Sequence, residues 1–341
     1  MVLAGWRARP GRGLGRCACV LAVLCCAGAA RADDGYLARL ATAVRSQLDD
    51  AAASHAVRLV PPVPVAVKWK PQKLGALDLG APLVAVAAAD LDGDGKAEVY
   101  LVTSLEVIAV ATAGRRIRTL GRVAFGGDPA VPASRDPVGT AVVDGNAVIA
   151  ATSAWAHDLR VEWNRGVLSA RQGPGGFVVC GDRLALVPGR NHFREAGAAL
   201  LGARCRSDLT DAAGAPLRIR AELALSGALE VVIERCAAAG TECRQAASYQ
   251  YKDVGVAFEL ADVDRDGTPE LIASSASAPG EPDAVRVIPL GSPAGKAAFK
   301  KTFNGGVAGI VVADGDGDGV AEVIAVVRLA GATRVDFWRL D

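Results

Sequence analysis

The chain has 341 residues, 51% hydrophobic and 22% charged, with 38 basic residues against 37 acidic ones and a formal net charge of +1. So even a balance offers no basic stripe to neutralise phosphates, which excludes nucleic acid and anionic lipid as principal partners.

At the N-terminus, Arg7, Arg9, Arg12 and Arg16 precede an apolar stretch from Cys17 to Gly28, and Ala30-Arg31-Ala32 forms an A-x-A cleavage site. This reads as a secretory signal over residues 1–32. Its apolar stretch is too short to span a bilayer, and no transmembrane segment is expected after cleavage. Neither Cys25 nor Cys26 follows the small residues expected before a lipidated cysteine. Removing the signal takes five arginines and no acids, leaving 33 basic residues against 37 acidic ones, a net of −4. It also leaves four cysteines, Cys180, Cys205, Cys236 and Cys243. An even number suits an oxidising compartment, so the expected location is periplasmic, cell-surface or extracellular. Cys236 and Cys243 end two strand-like runs across a six-residue connection, where a cross-hairpin disulfide fits. Cys180 and Cys205 are then the remaining pair.

Residues 33–60 read as an amphipathic helix and a Pro-rich linker. Asp33 and Asp34 offer an N-cap, and Leu37, Leu40, Ala41, Val44, Leu48 and Ala51 share one helical face. The spacing predicts a helix over 35–56, ended before Val60-Pro61-Pro62-Val63-Pro64. It either packs on the domain that follows or docks a partner. It lacks the basic polar face of a membrane-surface helix.

Within residues 61–341 one nine-residue pattern occurs three times. It runs Asp90, Asp92, Asp94, Glu98 in the first copy, Asp262, Asp264, Asp266, Glu270 in the second, and Asp314, Asp316, Asp318, Glu322 in the third. Carboxylates at positions 1, 3, 5 and 9, the position-7 carbonyl (Lys96, Thr268 or Val320) and a water would give a hard cation about 6–8 oxygens at roughly 2.4 Å. Glycine at position 6 permits the sharp turn. A bare hairpin turn needs only one Asp-Gly. Three copies, each closing with Glu at the same place, point instead to calcium cages at 90–98, 262–270 and 314–322, about three Ca2+ ions in all. Each is followed not by a helix but by a β-branched run such as Glu322-Val-Ile-Ala-Val-Val, so each cage sits in a β-hairpin.

The first and second loops begin 172 residues apart and the second and third 52, so a unit of about 40–50 residues leaves room for three cage-less units between them. Three hairpins fill the gap, turning at Asp144-Gly145-Asn146, at Gly181-Asp182 and at Ser226-Gly227. The first unit continues with two further strands, Glu106 to Thr112 and Arg116 to Phe125. Four strands per unit make the blade of a β-propeller. An all-β propeller of about six four-stranded blades, with seven possible, is therefore expected. The last unit has three strands only. Its fourth is expected from an N-terminal strand, either Val63 to Lys70 or Lys73 to Leu79, which closes the ring and removes an exposed edge.

The nine-residue loops resemble the FG-GAP or VCBS-type repeats of integrin α-chain propellers and of many secreted bacterial proteins. The resemblance implies a calcium-stabilised propeller with the twelve carboxylates above as ligands.

Catalytic constellations are sparse. The three histidines are His55, His157 and His192. His157 and Asp158 could orient a nucleophile such as Ser153, but neighbours on a strand point to opposite faces. No G-x-S-x-G, H-E-x-x-H or phosphate-cradling loop occurs. Trp69, Trp155, Trp163 and Trp338 are either sugar-stacking platforms or inter-blade packing. The reading is a secreted, non-catalytic calcium-binding module with a protein or glycan partner of the cell envelope. The alternative is a propeller enzyme acting on polysaccharide or lipid phosphate.

Overall fold

Alternating β-branched runs separated by glycine turns form strands, and the computed structural model of the protein is all-β from residue 68 onward. It describes residue 44 and then 68–124, 139–152, 155, 157–173, 176–179, 182–185, 203–210, 215–224, 228–237, 242–264, 268–275, 277, 281–292, 295–328 and 333–341. The chain divides into two units, Met1–Ala56 and Val57–Asp341. In the first, only Val44 is described, in helical conformation. The signal segment and the rest of the helix expected over 35–56 lie outside the described residues.

The second unit is a β-propeller. After a leading strand β1 (Gln72–Asp78), the first blade is β2 (Leu83–Ala89), β3 (Glu98–Thr103), β4 (Glu106–Ala111) and β5 (Arg118–Ala124). The second is β6 (Gly139–Asp144), β7 (Ala147–Thr152), β8 (Leu159–Asn164) and β9 (Val167–Gln172). A two-stranded sheet follows, β10 (Gly176–Val179) with β11 (Asp182–Ala185). The third blade is β12 (Ala203–Thr210), β13 (Pro216–Leu223), β14 (Leu229–Cys236) and β15 (Cys243–Tyr251). The fourth is β16 (Val254–Ala261), β17 (Glu270–Ser275), β18 (Asp283–Pro289) and β19 (Phe299–Phe303). The fifth joins β20 (Gly306–Ala313), β21 (Glu322–Arg328) and β22 (Arg334–Leu340) to β1.

There are thus five four-stranded blades among the described residues, not about six or seven. The first strands of the sheets neighbour one another in the order β20, β2, β6, β10, β12, β16 and back to β20, so the β10–β11 hairpin occupies one place in the ring with two strands. The third blade also corrects a register. The hairpin turning at Ser226-Gly227 is not a contracted cage between first and second strands. It joins β13 and β14, the second and third, because β12 takes the inner place. Asp182, expected within the turn of the second of the three cage-less hairpins, instead pairs with Val179 at the start of β11.

Closure occurs through β1, Gln72–Asp78, which covers most of the expected Lys73–Leu79 segment, rather than Val63–Lys70. β1 runs antiparallel to β22 with Gln72 opposite Arg339 and Asp78 opposite Arg334. Leu74, 2% exposed, enters the core shared by the fifth and first blades with Leu83, Leu101, Ile324 and Phe337. Equivalent apolar clusters join the fourth blade to the fifth, the first to the second and the third to the fourth. Both faces of a blade feed these clusters, which is why the middle of β21, residues 323–327, reads as an unbroken apolar run. Gly309 shows how close the inner strands come: a Cβ there would sit 2.6 Å from Val86 Cγ2 across the blade boundary. Cys236 and Cys243 form the expected disulfide between β14 and β15. Cys205 is disulfide-bonded, and Cys180 lies outside the described residues.

Candidate metal centre

The three acidic loops connect first to second strands in the first, fourth and fifth blades. Ring order makes those blades consecutive, fourth, fifth and first. In the first loop Asp90, Asp92, Asp94 and Glu98 each bring a carboxylate oxygen within 4.8 Å of the others, and Asp314, Asp316, Asp318 and Glu322 do the same in the third. In the second, Asp262, Asp264 and Glu270 converge likewise. Asp266 lies outside the described residues.

Backbone amides build each cluster. Asp90 accepts from Gly93 N–H at 2.8 Å on Oδ1 and from Gly95 N–H at 2.9 Å on Oδ2. Asp314 repeats this with Gly317 and Gly319 N–H, both at 2.7 Å. The position-6 glycines Gly95 and Gly319 have φ of 84° and 85°, the left-handed backbone that the sequence pattern requires. The fifth-position carboxylates accept from the seventh-residue amides, Lys96 to Asp94 at 2.9 Å and Val320 to Asp318 at 2.8 Å.

The closing glutamate is the most constant element. Its Oε2 accepts the N–H of the loop's second residue in all three copies: Leu91 to Glu98 at 3.4 Å, Val263 to Glu270 at 2.9 Å and Gly315 to Glu322 at 2.9 Å. All three glutamates are buried at the head of the second strand, whereas Asp92, Asp94 and Asp318 are exposed. Burial pushes Glu98 from its ordinary 4.5 up to about 7, with the charges of Asp92 and Asp94 adding to it and the bonds from Tyr100 and Leu91 opposing it. Burial likewise raises Glu322, against the Gly315 amide and the Arg339 charge.

An oxygen-only donor set of this kind fits a hard divalent cation. Asp316 adds a specific sign of it: its Oδ1 is buried within the third cluster with no hydrogen-bond partner among the described residues, while Oδ2 lies 3.6 Å from Arg339 Nη1. A buried acceptor left bare is costly, and a cation among these four carboxylates would satisfy it.

Two features of the site escape the sequence pattern. First, the first and third loops touch. Ala97 N–H donates to the Asp314 carbonyl at 2.8 Å, and a Cβ on Gly317 would lie 3.2 Å from Gly95 O. Second, Glu98 is held by a chain from the next blade: Trp163 Nε1–H donates to Tyr100 Oη at 2.8 Å, and Tyr100 O–H donates to Glu98 Oε2 at 3.0 Å. Tyr100 is fully buried, and that burial raises its pKa. Only its position two residues beyond the cage, on the same strand face as Glu98, signalled this role.

The tryptophans are packing elements. Trp155 is buried and donates to the Ser104 carbonyl at 2.8 Å, and Trp163 packs in the cluster between the first and second blades. Trp69 lies against Phe299 and Trp338 against Phe303, with centroids 5.2 and 5.5 Å apart. His157 is exposed while Asp158 is fully buried, so this pair does not share an orientation. Ser153, His55 and His192 lie outside the described residues.

No family model and no curated protein matches the chain. Among solved structures it is similar to the PQQ-bound form of an aldose sugar dehydrogenase from Streptomyces coelicolor, at 14% identity and a TM-score of 0.40, over 82% of this chain and 100% of that one. This likeness is distant and carries no functional inference. No described helix is long and apolar enough to cross a membrane.

Proposed function

We propose that this chain is an exported calcium-binding propeller of the FG-GAP or VCBS type that serves as a non-catalytic binding or scaffolding module of the cell envelope. What supports this most is the threefold recurrence of one geometry. On three consecutive blades an acidic loop gathers its carboxylates within 4.8 Å, and its closing glutamate accepts the second residue's amide. Three hairpin turns would not each need a buried carboxylate at the same place. Calcium would neutralise the clustered charge and tie the first, fourth and fifth blades into a rigid arc, leaving the propeller's faces for a protein or glycan partner. The ring's closure by β1 leaves no propagating edge on the fifth blade, as suits a module that works outside the cell.

Isothermal titration of the chelator-stripped chain tests the metal reading. About three calcium ions per chain are expected, and replacing Asp90, Asp262 and Asp314 together by Ala should abolish uptake. Zero uptake by the parent, or uptake that survives the triple replacement, would defeat it. Capture from envelope extracts, with and without chelator, tests the scaffold reading. Turnover of polysaccharide or lipid phosphate by the purified chain would overturn it.

A further inference from the structure

We infer that the cleft between the fourth and fifth blades binds a hydroxylated carboxylate of about monosaccharide size, such as a sugar acid. The cleft has a volume of about 370 Å³, near the small end of the range of about 300–1,000 Å³ usual for ligand pockets. It lies away from the cages and contains none of their residues. Its wall is formed by β1, β19, β21, β22 and the turn leading into β20.

Three polar groups line it, and two of them, Asp336 and Lys301, have unsatisfied chemistry. Asp336, on β22, has a side chain only 8% exposed. Its Oδ2 is held by Lys73 Nζ at 2.5 Å, but its Oδ1 is buried with no hydrogen-bond donor among the described residues. Lys301 sits on the opposite wall with its ammonium over two rings, 5.1 Å from the Trp338 centroid and 5.7 Å from that of Phe303. It has no carboxylate partner among the described residues. Asn304, exposed at the mouth, adds an amide with both donor and acceptor.

The cleft therefore carries two ammonium groups against one carboxylate, and one of those ammoniums is unpaired. An anion is the natural complement to Lys301, whose position is fixed by the rings beneath it. The bare Asp336 oxygen asks for a donor, and a carboxylate ligand has none to give unless it also bears hydroxyl groups. A ligand with both features satisfies both walls at once. A neutral sugar leaves Lys301 unmatched, and a simple carboxylate leaves Asp336 unmatched.

Isothermal titration of the full calcium-loaded chain with D-glucuronate, D-glucose and acetate tests this. Glucuronate should bind one per chain, about tenfold or more tightly than either of the others. Lys301→Met should weaken glucuronate binding by about tenfold, toward the level of glucose, since it removes the cation and keeps the stem over the rings. Asp336→Asn should weaken it by a similar factor. Because Asp336 also holds the closing strand, its variant is read only if its melting curve matches the parent's; Lys301→Met and Asn304→Ala, which leave closure intact, carry the test otherwise. Glucuronate binding no tighter than glucose or acetate, or unaltered by Lys301→Met, overturns the inference. Calcium uptake is measured separately, so failure here leaves the metal reading untouched.

Discussion

Replacing Glu98 by Gln removes the charge of one cage ligand while keeping its shape. The native side chain is 2% exposed, and its Oε2 accepts from Leu91 and Tyr100, bonds that a glutamine carbonyl can keep. Without metal, burial raises its pKa from 4.5 to about 7. A carboxyl whose folded pKa exceeds its unfolded value holds its proton more tightly in the folded state. Its contribution to stability is therefore full below about pH 4.5 and is lost as pH rises through about 7. At ~1.4 kcal/mol per pH unit, the loss by pH 8 is about 3 kcal/mol, or about 5–10 °C in Tm for a domain of this size. Glutamine is neutral throughout, so Glu98→Gln should melt above the parent in chelator at pH 8 and close to it near pH 4.5. Calcium narrows the gap. The parent gains about 2.7 kcal/mol per site at one hundred times Kd, and the variant gains less at this site. Differential scanning calorimetry in chelator and in calcium, at both pH values, reads all four states. A variant that melts below the parent in chelator at pH 8, or shows the parent's full calcium shift, would refute the reasoning.

Disabling the third cage with Asp318→Ala should also weaken calcium at the first, since the two loops share the Ala97–Asp314 bond; an unchanged first site by titration would show them independent. Tyr100→Phe breaks the chain from Trp163 to Glu98 and should lower calcium affinity at the first cage, with the second cage as the internal control. Leu74→Ala should cost about 2–5 kcal/mol in urea unfolding, because this closing-strand residue is buried between two blades. Deleting 33–56 should leave a soluble propeller, whereas deleting 33–80 removes β1, bares the β22 edge and should cause aggregation on size-exclusion chromatography.

The acidic loops were legible because ligand spacing is local chemistry: Asp90 to Glu98 places four carboxylates and one obligatory glycine within nine residues, and the backbone φ at Gly95 follows from that. The strands and the Cys236–Cys243 bridge were legible for the same reason, as alternation and hairpin spacing are short-range. Closure by an N-terminal strand followed from counting three strands after Gly305 and from the cost of an open edge, but two segments fitted equally, and packing of Leu74 against Leu83 and Phe337 decided between them. The blade count failed where turns had to stand for blades. A hairpin turning at Ser226-Gly227 reads the same whether it joins strands one and two or strands two and three, because turn chemistry carries no information about distance from the propeller axis. Only the tertiary structure set β12 inside it and gave the 176–185 hairpin its place with two strands. By itself the sequence determined the acidic clusters one at a time. Their adjacency, the Trp163–Tyr100 support of Glu98 and the cleft around Asp336 join residues up to 263 positions apart, from Lys73 to Asp336, and such contacts exist only once blades have packed against one another.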